Sequence, residues 1–279
     1  MAIRLIGIDI DGTLLDSQWT IPPANLRAIA AAFERGIEVA LVTGRRFDFA
    51  LPIAKQIPCP VTMIVNNGAM VKSTEGETFL RTLLAREAAR EILEATTDLR
   101  NTATVFFDRP RENQIMVEAL DWNHPSRKGY WARNREFIGE ATPLESCLTE
   151  DPIQVMFTGG VSPMRKVATR LELLPGRRAF SVVLTEYEAR DFSLVDVLHA
   201  DVSKGKTLER WADRRGIPRE SVMAIGDNLN NREMLEFAGL PVVMGNSVAE
   251  LMQNGWRVTG SNDDAGVATA IERYAFGES

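Results

Sequence analysis

Short apolar runs alternate with helical patterns over roughly the first 80 residues. Buried strands are predicted at Ile3–Ile10, Val39–Val42 and Val61–Val65, because each is a short apolar run that ends at polar residues. Between the first two strands, apolar positions within Leu26–Phe33 recur at helical spacing, and Gly36 follows as a helix stop. Strands that alternate with helices predict a parallel, doubly wound sheet.

The pattern changes near Leu83. A helical segment is followed there by two short strand patterns, Ala103–Phe107 and Gln114–Glu118. Further along, a helix at Met164–Leu174 lies between strand patterns at Ile153–Phe157 and Ala179–Leu184. Strand pairs mixed with helices predict a separate α+β unit. The alternating pattern resumes near Phe192, with a strand at Leu194–Val197. We therefore predict an α/β fold, with a doubly wound, Rossmann-like parallel sheet core over 1–82 and 191–279, and an inserted α+β domain over 83–190.

Polar side chains follow the predicted strands at the ends where such sheets bind ligands. Asp9 and Asp11 lie where the first strand ends, Thr43 follows the second, Asn67 follows the third, and Asp227 follows a later strand at Val222–Ile225. If the first strand continues through Asp11, its two carboxylates face one side and repel unless a cation such as Mg²⁺ neutralises them. Taken singly, these residues are equally typical of turns and helix caps.

The composition excludes several classes of protein. Lys and Arg number 32 against 38 Asp and Glu, and a net charge of −6 argues against general nucleic-acid binding. The two cysteines, Cys59 and Cys147, form neither a disulfide framework nor a metal cluster. No apolar segment is long enough to span a membrane. Arg4 and Asp9 interrupt the N-terminal apolar run, so no signal peptide is predicted and a cytoplasmic location is expected.

Four segments occur in an informative order. They read Asp9-Ile10-Asp11-Gly12-Thr13, Thr43-Gly44-Arg45, Ser203-Lys204-Gly205 and Gly226-Asp227-Asn228-Leu229-Asn230-Asn231. In this order the chain resembles the haloacid dehalogenase (HAD) superfamily, and specifically its Cof-like subfamily IIB, in which a large cap domain is inserted between the second and third motifs. The resemblance implies a Mg²⁺-dependent phosphatase for a small phosphate ester, and the charge and apolar pattern argue against a nucleic-acid or membrane partner.

The resemblance also implies roles for individual residues. Asp9 would be the nucleophile that forms an aspartyl phosphate, and Asp11 the general acid and base. Mg²⁺ would bind Asp9, Asp227 and the backbone carbonyl of Asp11. Residues expected to hold the substrate or its phosphoryl group are Thr43, Gly44, Arg45, Asn67, Lys204 and Asn230.

One position departs from the family pattern. The fourth motif usually ends in Asn-Asp, whereas Asn231 follows Asn230 here, so weaker metal binding is expected because the amide lacks the charge. Within the predicted cap, the aromatic and basic stretch 121–137 offers Trp131 and Arg133 as substrate contacts. The stretch also contains Trp122, His124 and Arg127.

Two other functions stay open from the sequence alone. One is a phosphotransferase or mutase, in which a substrate hydroxyl replaces water, and the other is a catalytically weak binding protein on the same fold. The sequence does not distinguish a sugar phosphate, a nucleotide or a cofactor phosphate as the substrate, and it leaves the oligomeric state open.

Overall fold

The computed structural model describes residues 2–119 and 128–277. Its regular elements begin with β1 (Leu5–Ile8), α1 (Pro23–Glu34), β2 (Glu38–Val42), α2 (Phe47–Ala54), β3 (Thr62–Val65), β4 (Met70–Lys72) and β5 (Thr78–Arg81). They continue with α3 (Arg86–Glu94), β6 (Ala103–Phe106), β7 (Ile115–Val117), α4 (Lys128–Asn134), β8 (Ile138–Glu140), β9 (Gln154–Gly159), α5 (Val161–Glu172), β10 (Phe180–Tyr187) and β11 (Phe192–His199). The last are α6 (Lys204–Arg214), β12 (Val222–Gly226), α7 (Arg232–Phe237), β13 (Leu240–Val243), α8 (Ala249–Met252), β14 (Arg257–Val258) and α9 (Gly266–Ala270).

The chain divides into two compact units. The first, which we call the core unit, consists of Met1–Arg81 and Val202–Ser279. Within the described residues, its sheet has eight strands in the order β14-β13-β12-β1-β2-β3-β4-β5. All neighbours from β14 to β3 are parallel, and β4 and β5 add an antiparallel edge. The prediction of an α/β fold with a doubly wound parallel core is confirmed.

The central strands of the core unit explain where its polar residues emerge. Leu5, Ile6 and Ile8 have no solvent exposure, as expected for a strand with both faces covered by other elements. β1 pairs in parallel with β12, so Ile8 lies beside Ile225. The residues that follow these two strands, Asp9 among them, therefore leave the sheet at the same carboxyl edge.

The second unit, which we call the inserted unit, is Thr82–Asp201. Among the residues that the structure describes, six strands form a separate sheet in the order β10-β11-β9-β6-β7-β8. All neighbours are antiparallel except β7 and β8. Apolar side chains with no solvent exposure form its own core, including Leu93, Val105, Phe157, Phe180 and Val195. The inserted α+β unit is thus a separately packed body.

One boundary inferred from the sequence is wrong. The strand near Leu194–Val197 was assigned to the core from residue 191, but β11 pairs antiparallel with β10 and β9 in the inserted unit. A tight turn joins β10 to β11, and Asp191 lies in it with φ 42°. Such a turn favours an antiparallel hairpin, whereas apolar alternation alone does not specify which sheet a strand joins.

No helix in the described parts of the chain is both long and apolar enough to cross a bilayer.

Candidate active site

Asp9 lies immediately after β1 and is almost fully buried, with 3% exposure. Its Oδ1 accepts hydrogen bonds from the Ile10 backbone N–H at 2.8 Å and from Lys204 Nζ at 3.0 Å. Its Oδ2 accepts from Asn231 Nδ2 at 2.8 Å. Three donors therefore fix the orientation of this carboxylate, and the Lys204 ammonium compensates its charge in a poorly hydrated place.

Helix α6 carries Lys204 to Asp9. Ser203 caps its N-terminus by accepting the Lys206 N–H at 3.1 Å. The neighbouring Gly205 permits a close approach to α7, because a Cβ at this position would lie 2.5 Å from the backbone carbon of Glu233. Close packing of α6 and α7 brings Lys204 and Asn231 to one carboxylate from two different elements.

Asp11 faces a different partner from Asp9. β1 ends at Ile8, and the chain turns at Ile10–Leu14, so strand alternation does not apply. Arg45 holds both Asp11 oxygens, through Nε at 2.9 Å and Nη2 at 2.6 Å. Such a bidentate pair fixes carboxylate and guanidinium in one plane. The chain thus turns before Asp11, and the condition under which Asp9 and Asp11 would face one side of a strand is not met.

The ends of β2 and β3 provide the next predicted residues. Thr43 is 1% exposed, and its hydroxyl accepts the Arg45 backbone N–H at 3.1 Å. Asn67, 2% exposed, donates its backbone N–H to the Thr43 carbonyl at 3.0 Å. A Cβ on Gly44 would lie 2.9 Å from Asn67 Oδ1. The turns after these two strands are thus packed directly against each other.

Asp227 follows β12 and is in contact with the turn after β1. Its Oδ1 accepts the Thr13 hydroxyl at 2.9 Å. Gly12 makes the approach possible: its φ is +76°, and a Cβ there would lie 2.3 Å from Asp227 Oδ2. Burial, and next the Asp9 charge, raise the pKa of Asp227 to about 7. Two carboxylates therefore lie close enough to disfavour a second negative charge unless a cation is present.

These donors fit a magnesium ion in part. The described residues contain no group of three or more His, Cys, Asp or Glu side chains placed to hold a metal. Arg45 holds the side chain of Asp11, so the expected contribution of Asp11 to a metal site is its backbone carbonyl. Mg²⁺ usually keeps several waters and needs only one or two protein carboxylates. The pair Asp9 and Asp227, together with the raised pKa of Asp227, fits this requirement.

The remaining predicted residues lie in different places. Asn230 belongs to the core unit, and among the described residues its buried side-chain oxygen has no hydrogen-bond partner. Trp131 and Arg133 lie on α4 of the inserted unit. Trp131 is buried, with 4% exposure, and contacts Tyr130 edge to face, whereas Arg133 is exposed. Trp122, His124 and Arg127 lie outside the described residues.

Sequence reasoning missed two contributions to the site. Thr13 was noted only as part of a motif, yet its hydroxyl binds Asp227. Asn231 was noted only for its missing charge, yet it donates to Asp9 and accepts the backbone N–H groups of Asp227 and Asn228 at 3.0 and 3.1 Å. The motif spacing pointed to both positions, but the direction of each hydrogen bond depends on the folded geometry.

Comparisons with known proteins give a consistent result. A sequence profile for haloacid dehalogenase-like hydrolases matches residues 6–271. A 5-amino-6-(5-phospho-D-ribitylamino)uracil phosphatase of Bacillus subtilis is 26% identical over 294 residues, which is 99% of each chain. A pyridoxal phosphate phosphatase of Escherichia coli is 27% identical over 277 residues, covering 97% of this chain and 98% of the relative.

Solved structures agree on the fold. A haloacid dehalogenase-like hydrolase from B. subtilis superposes with a TM-score of 0.82 at 23% identity, covering 98% of this chain and 100% of the other. A HAD subclass IIB sugar phosphatase superposes with a TM-score of 0.76 at 20% identity, covering 98% and 99%.

Proposed function

The chain belongs to the haloacid dehalogenase-like hydrolases, and from this premise we propose that it hydrolyses a small phosphate monoester through an aspartyl phosphate on Asp9. One observation carries the proposal: Asp9 is buried at the carboxyl edge of the parallel sheet, with the Lys204 ammonium 3.0 Å from its Oδ1. A carboxylate held in this way is an oriented nucleophile, and the adjacent cation favours an incoming phosphoryl group.

In the first step an Asp9 oxygen attacks phosphorus. The new P–O bond forms as the bond to the leaving oxygen breaks, and Asp11 gives its proton to that oxygen. In the second step Asp11 takes a proton from water, the water oxygen bonds to phosphorus, and the bond to Asp9 breaks. The sum is one ester and one water converted to an alcohol and inorganic phosphate.

The ion pair between Arg45 and Asp11 gives this mechanism a specific requirement. Arg45 occupies both Asp11 oxygens, so at least one of them must be released before Asp11 delivers a proton. An incoming phosphoryl group carries the negative charge that Arg45 would bind in exchange. We therefore assign Arg45 to substrate binding, and Thr43, Gly44, Asn67 and Asn230 to the same group of contacts.

Magnesium fits this site through Asp9, Asp227 and the backbone carbonyl of Asp11. When bound, it would neutralise charge on the phosphoryl oxygens and on the two carboxylates. Thr13 supports the arrangement by fixing Asp227 Oδ1. Lys204 contributes positive charge of its own, which holds Asp9 in position in both steps.

The substrate class is a small phosphorylated metabolite: a sugar phosphate, a nucleotide or a cofactor phosphate. The relatives named above act on phosphate esters of this size. We propose that the inserted unit serves as the cap, which excludes water and selects the leaving group while the core unit performs the chemistry. Trp131 and Arg133 remain its proposed substrate contacts.

A turnover screen tests the proposal. Purified wild-type protein should release phosphate from at least one phosphorylated metabolite with Mg²⁺ present and lose this activity in excess chelator. Asp9→Asn should abolish release without changing the fold, because the amide is nearly isosteric but a poor nucleophile. Turnover near the wild-type rate in this variant, or full activity in chelator, would contradict the proposal.

A further inference from the structure

Trp19 is the most exposed aromatic side chain among the described residues, at 57%. Its φ is 63°, in the left-handed region that a bulky L residue seldom occupies. Glycine or asparagine would take this conformation more easily, and a polar side chain would suit the exposure better. Neither the backbone nor the burial at this position thus accounts for a tryptophan, and strained backbone of this kind is often found at functional sites.

Hydrogen bonds hold the loop around Trp19 on both sides. Asp16 Oδ1 accepts the backbone N–H groups of Gln18 and Thr20, both at 2.9 Å, and Asp16 Oδ2 accepts the Thr20 hydroxyl at 2.6 Å. The backbone N–H of Trp19 donates to the Asp16 carbonyl at 3.0 Å, and the Asp263 carboxylate accepts the backbone N–H of Ser17 at 2.7 Å. The indole is therefore presented from a fixed loop, which lowers the entropic cost of binding a ligand to it.

Arg45 connects this indole to the proposed general acid. Its guanidinium carbon lies 5.7 Å from the Trp19 ring centroid and 4.9 Å from that of Phe49 on α2. Both distances are in the range of cation–π contacts. The same guanidinium binds Asp11 at 2.6 Å, which places the Trp19 ring within about 10 Å of the Asp11 carboxylate when one C–N bond is included.

The added contact lengths set an upper limit, and a particular kind of leaving group fits within it. The leaving oxygen must come within hydrogen-bond distance of Asp11 to receive its proton. One methylene and a planar ring beyond that oxygen, plus a stacking separation of about 4.5–7 Å between ring centroids, span about the same length. Aliphatic leaving groups of the same size would lack the ring face that stacks on indole.

We propose that Trp19, beside Arg45 and Phe49, is a specificity residue that stacks on the leaving group. The preferred substrates are then phosphate esters of alcohols that carry a planar aromatic ring one or two bonds from the ester oxygen. This inference rests on the proposed function and names the substrate class of the same site. It places part of the substrate selection on the core unit.

Benzyl phosphate and cyclohexylmethyl phosphate test the inference, because they differ mainly in the planarity of the ring. The ratio of their kcat/KM values is compared between variants, so intrinsic differences in reactivity cancel. Trp19→Leu should lower the preference for benzyl phosphate about five- to tenfold, the range of an aromatic pair. Trp19→Phe should retain most of it. Phe33→Leu, which removes another exposed aromatic ring, should leave the ratio unchanged.

Binding to the Asp9→Asn variant supplies a second measurement that needs no turnover. Calorimetric affinity for benzyl phosphate should fall about five- to tenfold when Trp19→Leu is added, and affinity for cyclohexylmethyl phosphate should change little. An unchanged ratio in both measurements, or no binding of benzyl phosphate, would overturn the inference. If wild-type protein releases phosphate from neither ester nor from any other metabolite, the proposed function fails, and the calorimetric ratio still decides the role of Trp19.

Discussion

Asn231 offers the sharpest perturbation of the site. Its side chain is fully buried, with the nitrogen donating to Asp9 Oδ2 at 2.8 Å and the oxygen accepting the Asp227 and Asn228 backbone N–H groups. Asn231→Asp keeps the accepting oxygen and replaces the donor with a second oxygen. The nearest oxygens of two carboxylates would then face each other at about the distance of the lost hydrogen bond, with the centres of charge about 4 Å apart.

The size of the effect follows from these contacts. Like charges about 4 Å apart repel by about 4 kcal/mol at an effective dielectric constant of about 20, and loss of a hydrogen bond to a charged group costs about 1.5–3 kcal/mol. Lys204 offsets part of this, because it lies 3.0 Å from Asp9. We expect metal-free Asn231→Asp to lose about 2–4 kcal/mol of unfolding free energy. Asn231→Ala should lose about 3–5 kcal/mol of unfolding free energy, since it leaves the Asp9 carboxylate and the backbone N–H groups of Asp227 and Asn228 without this partner.

Urea unfolding in chelator and across a Mg²⁺ series measures both effects. Mg²⁺ should stabilise Asn231→Asp more than the wild type and with tighter apparent affinity, because the added carboxylate attracts the dication. Asn231→Ala should stay destabilised at every Mg²⁺ concentration, and Asn101→Asp, a control at an exposed position of the inserted unit, should match the wild type. If Asn231→Asp keeps wild-type stability in chelator and an unchanged Mg²⁺ titration, the side chain does not face Asp9 as described.

Three further predictions concern other parts of the chain. Without metal, burial and the Asp9 charge raise the pKa of Asp227 to about 7 from an ordinary value of 3.8. Between these two values the folded chain keeps a proton that the unfolded chain has lost. The free energy of unfolding should therefore fall as pH rises between about 4 and 7. Asp227→Asn should flatten that slope in urea titrations, and an unchanged slope would contradict the assignment. Lys204→Met should lose about 3–5 kcal/mol of unfolding free energy, because it leaves the Asp9 charge buried without its cation. Adding Asp9→Asn to this variant should restore stability. A double variant no more stable than Lys204→Met would argue against the ion pair. Arg133→Ala should alter the ranking of substrates at little cost in unfolding free energy. Trp131→Ala should instead lower the unfolding free energy by about 3–5 kcal/mol, because its ring is buried. An unchanged ranking for Arg133→Ala in the turnover screen would remove Arg133 from the substrate contacts.

The apolar pattern predicted much of the core unit. Strand β3, Thr62–Val65, begins one residue later than the predicted Val61–Val65, and β12 extends the predicted Val222–Ile225 by one residue. Buried parallel strands read as continuous apolar runs, so this signal is strong. The emergence of Asp9 and Asp227 at one edge then follows from the parallel pairing of β1 and β12. Here local pattern and topology both point to the same arrangement.

Other features depend on tertiary contacts that no local pattern specifies. The apolar run of β11 would suit either sheet, and its hairpin with β10 determines which one it joins. The separation of Asp9 from Asp11 depends on β1 ending at Ile8 and on Arg45 reaching back from the end of β2. The exposure of Trp19 was not anticipated either, because an aromatic residue in a short loop is usually a packing residue.

The most direct test of the central claim is detection of the covalent intermediate. Wild-type protein is mixed with a turned-over ester and Mg²⁺, quenched rapidly in acid, and digested for mass spectrometry. We expect a phosphoryl group on the peptide that contains Asp9, and borohydride reduction of that acyl phosphate should convert Asp9 to homoserine. Asp9→Asn should give neither product. Steady phosphate release with no modification at Asp9 under conditions that trap acyl phosphates, together with turnover by Asp9→Asn, would rule out Asp9 as the nucleophile.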